Sequence, residues 1–310
     1  MIRSSQAGVT YVVTLYNKAP YVAGVLAAIR AQQGDFPRQY VVVDDGSTDG
    51  SGEIAAAILA DWPDAVLIRQ DNKGPSAATN RGVALARMPY THIVDGDDIL
   101  APYATRLLLR AARESGCGLV YGGGTWYAAP EEIAFPPEPE AVKVRVLEDT
   151  LFSVIRHGQS GSIILFETEA FRRAGGCDET VFIQDQSLPQ RLAPFVSIGT
   201  FGDLISTGPL NEPGRVMKSS AQVLHDQSLS AINTLRNNPD LPPRYRRLVQ
   251  RRATGRAWKW AFRHRKRGFP FRHFGRFLAA RIPFLLLSDQ SLLKTLEAFR
   301  GDATIRLVAP

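Results

Sequence analysis

The sequence predicts an α/β protein: a mostly parallel sheet with helices on both faces, followed by a basic, mainly helical C-terminal region. Three observations carry that expectation. Short apolar runs rich in β-branched residues alternate with helical patterns, acidic turns follow the runs, and cations crowd the last quarter of the chain. With 310 residues, 45% hydrophobic and 22% charged, the chain has the apolar content for a large core, which excludes a disordered or fibrous protein.

The first run, VTYVVTL (Val9 to Leu15), is continuous, as expected of a strand buried on both faces. Behind Pro20, Val22, Val25, Leu26 and Ile29 fall at i, i+3, i+4 and i+7, the apolar stripe of a helix. The strand signature returns at Tyr40 to Val43, Ala65 to Ile68, Thr91 to Val94, Leu119 to Tyr121 and Ser162 to Phe166. Behind Pro102, Tyr103, Leu107 and Ala111 repeat every four residues, a second helix. Strands alternating with helices of this length imply right-handed crossovers, and such sheets bind ligands at the carboxyl ends of their strands. PPEPE (Pro136 to Glu140) reads as an extended loop. Cys117 and Cys177 are too few for a disulfide framework or a four-thiolate metal site and are expected as buried thiols. No signal-peptide pattern opens the sequence and no run approaches the roughly 18 apolar residues of a spanning helix, so the expectation is a cytoplasmic protein.

The formal charge of +7 conceals a division. Residues 241–310 hold 17 of the 37 Lys and Arg with only Asp289, Glu297 and Asp302 as acids, whereas residues 1–240 carry 20 basic and 27 acidic groups. No acid occurs between Arg244 and Arg281, where Trp258, Trp260, Phe262, Phe269, Phe271, Phe274 and Phe277 are interleaved with the cations. Pro242 and Pro243 mark a hinge before this region.

Four segments carry the chemistry. TLYNK (Thr14 to Lys18), VDDGSTDGS (Val43 to Ser51), DNKGPSAATNRG (Asp71 to Gly82) and VDGDD (Val94 to Asp98) each end one of the first four strands, so all four should meet at one edge of the sheet. Asp44, Asp45, Asp95, Asp97 and Asp98 would then crowd a small volume, where like charges oppose one another unless a cation is present. Hard carboxylate oxygens without a Cys or His cluster suit Mg²⁺ or Mn²⁺, and Mg²⁺ takes one or two protein carboxylates with phosphate oxygens completing its shell. Asp49 and Gly50 read as helix-entry punctuation.

In that order and spacing, the four segments resemble family-2 glycosyltransferases of the GT-A fold, over roughly residues 8–235. The resemblance implies a catalytic domain at 1–235, with a nucleotide-sugar half at about 8–115 and an acceptor half at 116–235, before a basic helical region at 236–310. It implies that Thr14, Tyr16 and Asp45 hold the nucleotide base, and that Asn17, Lys73, Asp95 and Gly96 also belong to the nucleotide-sugar site. Asp97 becomes the metal ligand, and the cofactor Mn²⁺ or Mg²⁺. In AGGCDETVFIQDQSLPQRL (Ala174 to Leu192) the resemblance makes Asp185 the catalytic base, at the start of a helix with Pro189 near its first turn. The family more often has Glu-Asp where this chain has Gln184-Asp185, so Asp185 is expected to titrate closer to an ordinary Asp. LHDQSLS (Leu224 to Ser230) resembles the family's His-containing segment, which makes His225 a candidate metal or diphosphate ligand, while His157 reads as structural or acceptor-lining. The implied reaction is inverting transfer from a nucleoside diphosphate sugar, UDP by default, to a glycan or lipid-linked acceptor in cell-surface polysaccharide synthesis. The basic tail would then sit on an anionic membrane surface, with nucleic acid disfavoured.

Two rivals stand beside this reading. THIVDGDDI also offers an aspartyl phosphohydrolase, with Asp95 as nucleophile and Asp97 as acid, but that leaves TLYNK, VDDGSTDGS and Asp185 unexplained. Alternatively the function lies in the basic aromatic tail as a binding module for a membrane surface or nucleic acid, or the tail only packs its aromatics as a helical subdomain.

Overall fold

The computed structural model describes residues 7–158, 163–211, 220–264 and 268–307. The chain forms two compact units. The first comprises Met1–Thr150, Gly161–Cys177 and Leu192–Pro213, and the second Leu151–Ser160, Asp178–Arg191 and Gly214–Pro310.

The first unit is built on a nine-stranded sheet. Its strands are β1 (Val9–Leu15), β2 (Arg38–Asp44), β3 (Ala65–Arg69), β4 (Tyr90–Asp95), β5 (Ile99–Leu100), β6 (Leu119–Tyr127), β7 (Arg145–Val146), β8 (Ile164–Glu167) and β9 (Ile198–Pro209). The order is β3-β2-β1-β4-β8-β6-β9-β5, with β7 paired to β9. The first four are parallel, with Thr14 level with Val43 and with Asp95. β8 runs antiparallel between β4 and β6. Burial explains the continuous apolar runs: Val9, Tyr11, Val12, Val13 and Leu15 are all at most 2% exposed, because helices cover both faces.

Those helices are α1 (Val22–Arg30), α2 (Ser51–Leu59), α3 (Pro75–Ala84), α4 (Ala104–Ser115) and α6 (Thr168–Arg173), with α5 (Thr150–His157) beginning the second unit. The α1 stripe is buried as its spacing demands. α3 approaches the sheet closely at Gly82, where an added Cβ would lie 2.4 Å from a Val12 methyl. Both cysteines are free and buried, as expected.

Beneath the β1–β4 layer, His92 is fully buried. Its Nδ1 lies 3.3 Å from the Thr105 hydroxyl, which also accepts from Tyr11 and donates to Gln32. Its Nε2 has no hydrogen-bond partner. Burial depresses the imidazole pKa to about 3, so it is neutral in the fold.

The second unit is helical: α5, α7 (Gln184–Leu192), α8 (Ser220–Asn237), α9 (Pro243–Arg263), α10 (Phe271–Ala279) and α11 (Asp289–Leu293). Pro243 opens α9, as the proline pair implies. The aromatics of the basic region pack largely on one another: Trp258 meets the rings of Phe262, Phe269, Phe274 and Phe277 at centroid distances from 4.8 to 6.0 Å. No residue of α10 is buried. Among the described residues no helix is long and apolar enough to cross a membrane.

Candidate active site

The carboxyl ends of β1–β4 meet at one edge of the first unit, as the motif order requires, and hydrogen bonds join their loops. Asn17, at a left-handed φ of 54°, gives its N–H to the Ser47 hydroxyl (3.0 Å), and its side-chain oxygen accepts from Thr48 N (2.9 Å). Lys18 N donates to Ser51 Oγ at 2.7 Å, and Ala19 N to Asp49 Oδ2 at 2.9 Å. Asp49 also accepts from Ser51 N, so its helix-entry role stands and it clamps the first loop besides. Asn17 therefore works here as a loop clamp, a role that its motif position alone does not reveal.

The five aspartates do not share one fate. Successive residues leave a strand on opposite sides, and Asp44 and Asp45 part accordingly. Asp44 turns into the protein, accepting from Ser47 N at 2.8 Å and lying 3.3 Å from Arg69 Nε. Asp45 reaches the loop after β3, where Oδ1 accepts from Gln70 Nε2 (2.8 Å) and Lys73 N (2.9 Å), and Oδ2 from Gly74 N (2.9 Å). Burial raises its pKa, and those three hydrogen bonds pull the other way. Asp98 is buried, with Oδ1 only 2.5 Å from where a Cβ on Gly208 would stand. Asp97 pairs with Lys18, Nζ to Oδ2 at 2.7 Å. The expected crowding of carboxylates is thus relieved partly by this chain's own cations and amides.

Gly96 is required by packing: a Cβ there would fall 2.6 Å from a Leu15 methyl and 2.8 Å from the Thr14 carbonyl. Thr14 is half-buried at the end of β1, and Tyr16 projects with 43% of its surface exposed. Lys73, exposed, lines a cavity of about 620 Å³ with Gly46, Ser47, Arg69, Gln70, Asp71 and Arg81. Three cations on its wall make it hospitable to a phosphorylated ligand. Arg69, Gln70 and Lys18 were not singled out from sequence, although Lys18 lies within TLYNK and Arg81 within the third motif.

The other two candidates lie in the second unit. Asp185 occupies the first turn of α7, and its Oδ1 accepts from Gln186 Nε2 at 3.1 Å. The preceding loop is tied to α8: Ile183 N donates to Asp226 Oδ2 (2.9 Å) and Asn233 Nδ2 to Asp178 Oδ2 (2.7 Å). Pro189 is not near the first turn as expected; it sits inside the helix at its sixth residue, where it cannot donate to the Asp185 carbonyl four residues back. His225 lies within α8 at 3% exposure. Its Nδ1 meets Asp226 Oδ1 at 2.8 Å, which fixes the ring's orientation, and its Nε2 is a buried atom without a hydrogen-bond partner.

No group of three or more His, Cys, Asp and Glu side chains poised for a metal occurs among the described residues. That does not conflict with Mg²⁺ or Mn²⁺, which need only one or two protein carboxylates when phosphate oxygens complete the shell. Asp95 and Asp97 are hard oxygen donors flanking a glycine, and the Lys18 ammonium on Asp97 shows that this carboxylate holds a cation. The residues fit such an ion.

Comparison with known proteins follows the same lines. The glycosyltransferase GlyG of Streptococcus pneumoniae is 34% identical over 115 residues, 37% of this chain and 38% of GlyG. The succinoglycan biosynthesis protein ExoO of Rhizobium meliloti is 36% identical over 109 residues, 35% of this chain and 30% of ExoO. The chain spans less than half the length of the curated relatives it matches. Among solved structures, S. aureus TarS 1–349 in complex with UDP-GlcNAc superposes with a TM-score of 0.64 at 16% identity, covering 94% of this chain and 91% of that one. The mannosyltransferase PcManGT of Pyrobaculum calidifontis, in complex with GDP-Man and Mn²⁺, gives 0.59 at 18% identity, over 94% and 85%. At such identities these likenesses show the fold alone. The model of glycosyl transferase family 2 matches residues 10–174, more than half the chain, and it is to this family that the chain belongs.

Proposed function

We propose that this chain transfers a sugar, with inversion, from a nucleoside diphosphate donor, UDP favoured, to a hydroxyl of a glycan or lipid-linked saccharide in the making of cell-surface polysaccharide. One observation carries the reading: four loops joined at the carboxyl edge of β1–β4, the loops after β2 and β3 forming a cavity walled by Arg69, Lys73 and Arg81. Family membership removes the phosphohydrolase alternative.

In this reading the exposed Tyr16 ring stacks on the base, and Thr14 lines the same end of β1. Asp45 shapes the β3 loop through three hydrogen bonds and presents its remaining lone pair to an imide N–H. Lys73 faces the diphosphate, Asp95 the ribose or sugar, and Gly96 lets the chain pass close beneath them. Asp97 would hold a divalent ion, and His225, in the second unit, keeps only the candidate metal or diphosphate role that the resemblance implies. Such an ion, when bound, supplies Lewis-acid neutralisation of charge on the departing diphosphate. Lys18 would then give up its partner or share it. Asp185 takes the acceptor hydroxyl proton.

The test is a thermal-shift screen of UDP, GDP, dTDP and CMP with and without Mn²⁺. UDP near tenfold its dissociation constant is expected to raise Tm by about 3 °C, and Mn²⁺ to enlarge the rise. Indifference to every nucleotide in both conditions would remove the reading.

Peripheral attachment to an anionic membrane through residues 241–287 belongs to the same reading. Phe271 is 74% exposed and Phe284 is 93% exposed, with Leu278 and Ile282 also exposed, in a stretch rich in arginine. Phe284 holds a φ of 71°, a strained conformation for a bulky residue, so the backbone presents this ring to solvent against its own preference. Arginine at the headgroups and aromatic rings at the acyl boundary suit such a surface. Full-length protein should sediment with phosphatidylglycerol vesicles and not with phosphatidylcholine vesicles, and Phe284→Ser should weaken that binding several-fold. Equal binding by Phe284→Ser would exclude the ring from the contact.

A further inference from the structure

One face of α9 begins as an ordinary buried stripe and then changes character. Tyr245, Val249, Arg252 and Arg256 fall at i, i+4, i+7 and i+11, on one side of the helix. Tyr245 and Val249 are buried, and the Tyr245 ring meets Phe152 of α5 edge-on at 5.7 Å. One turn beyond Phe152, on the same face of α5, stands Arg156. The stripe that packs against α5 therefore runs from an aromatic contact directly into arginines.

Those arginines have no counter-charge. Neither Arg252 nor Arg256 has a hydrogen bond or an ion pair among the described residues, and Arg252 Nε is buried with no partner at all. Burial, and after it the neighbouring arginine, lowers the pKa of both groups, that of Arg256 to about 10; the neighbour is Arg156 for Arg252, and Arg252 for Arg256. No acid occurs in the sequence from 244 to 281 to offset them. Arg252 and Arg256 are partly buried and Arg156 is exposed at the rim; partly desolvated like charges without a partner are costly, and an anion arriving from solvent relieves that cost. Guanidinium groups present planar forks that match the oxygens of phosphate.

We infer that Arg156, Arg252 and Arg256 form an oxyanion site between α5 and α9 that receives a phosphate or diphosphate group. The glycosyltransferase reading enters only in naming the carrier, which is then the acceptor: a saccharide bearing phosphate, or one linked to lipid through a diphosphate. The site lies wholly within the second unit and uses none of the residues assigned to the nucleotide.

The experiment uses the full chain and inorganic pyrophosphate as probe, at ionic strength held constant with sodium chloride. Pyrophosphate should raise the wild-type Tm by about 3 °C near tenfold its dissociation constant. The R252Q/R256Q variant should melt higher than wild type without anion, because the repulsion is gone, and should lose the pyrophosphate response while keeping its response to UDP. Should the double variant not fold, Arg252→Lys keeps the charge but not the fork, and should weaken pyrophosphate binding at least threefold. A pyrophosphate response of wild-type size in these variants overturns the site. Farnesyl diphosphate as a second probe separates the carriers: tighter binding than pyrophosphate assigns the site to a lipid-borne diphosphate, and equal binding to a soluble phosphorylated one. If UDP has no effect on any variant while the pyrophosphate response still depends on Arg252 and Arg256, the donor reading fails and the oxyanion site stands.

Discussion

Asp185→Asn is expected to lower kcat by about 10² to 10⁴, the usual worth of a general base, with nucleotide affinity unchanged. Asparagine keeps the shape and the hydrogen bond from Gln186 but cannot take a proton. The acid limb of the kcat–pH profile, which would report the ionising carboxylate, should vanish in the variant, and Asp185→Glu should restore part of the rate. Local structure favours a defined position for this side chain. The loop before α7 is fastened to α8 through Ile183–Asp226 and Asp178–Asn233, and further along the helix Gln190 Oε1 accepts from Thr234 at 3.2 Å. The positive end of the helix also favours a carboxylate in its first turn. A variant with wild-type kcat and an unchanged pH profile would leave Asp185 as a helix-start residue with no part in catalysis.

The second large effect is on stability, through His92. Its folded pKa of about 3 lies below the roughly 6.5 of an unfolded histidine. Below pH 6.5 the unfolded chain takes up a proton that the folded chain refuses, so the contribution is complete above pH 6.5 and is lost as pH falls toward 3. The slope is about 1.4 kcal/mol per pH unit, and the total roughly 5 kcal/mol. Urea midpoints at pH 7, 6, 5 and 4 measure it by comparison with His92→Asn, which can keep a hydrogen bond to Thr105 but does not titrate. Carboxylates elsewhere act equally on both proteins, so the wild-type curve should be the steeper by that slope. Parallel curves would show that His92 is protonated without opening the fold.

The meeting of the four loops was legible because their chemistry is written in contiguous motifs. Thr14 lies at the end of β1, and Tyr16, Asp45 and Asp97 follow strands whose apolar runs are unmistakable; a parallel arrangement brings those ends to one edge. What the motifs did not reveal is how each carboxylate is answered. Lys18 on Asp97, Arg69 on Asp44 and the β3-loop amides on Asp45 depend on side chains 25 to 79 residues away in sequence. The strands that were missed share one cause. β5 and β7 are two residues long and exist through pairing with β9, while β9 itself, IGTFGDLISTGP, mixes glycine and polar residues and shifts register against β6. The His225 segment was read from its motif alone with no element assigned to it, and it lies within one long helix.

By itself the sequence determined the alternation of strand and helix, the parallel β1–β4 layer, the four acidic and amide-rich turns, the family resemblance and the segregation of charge into the tail. Each of these rests on periodicity, turn chemistry or composition, which act over a few residues. Only the tertiary structure decided that β8 enters antiparallel, that Asp226 fastens the loop before Asp185, and that Arg252 and Arg256 occupy the stripe of α9 facing α5 without a counter-charge. Those outcomes follow from which distant surfaces are buried together. A run of residues specifies its own conformation far more strongly than it specifies the partner against which it will pack.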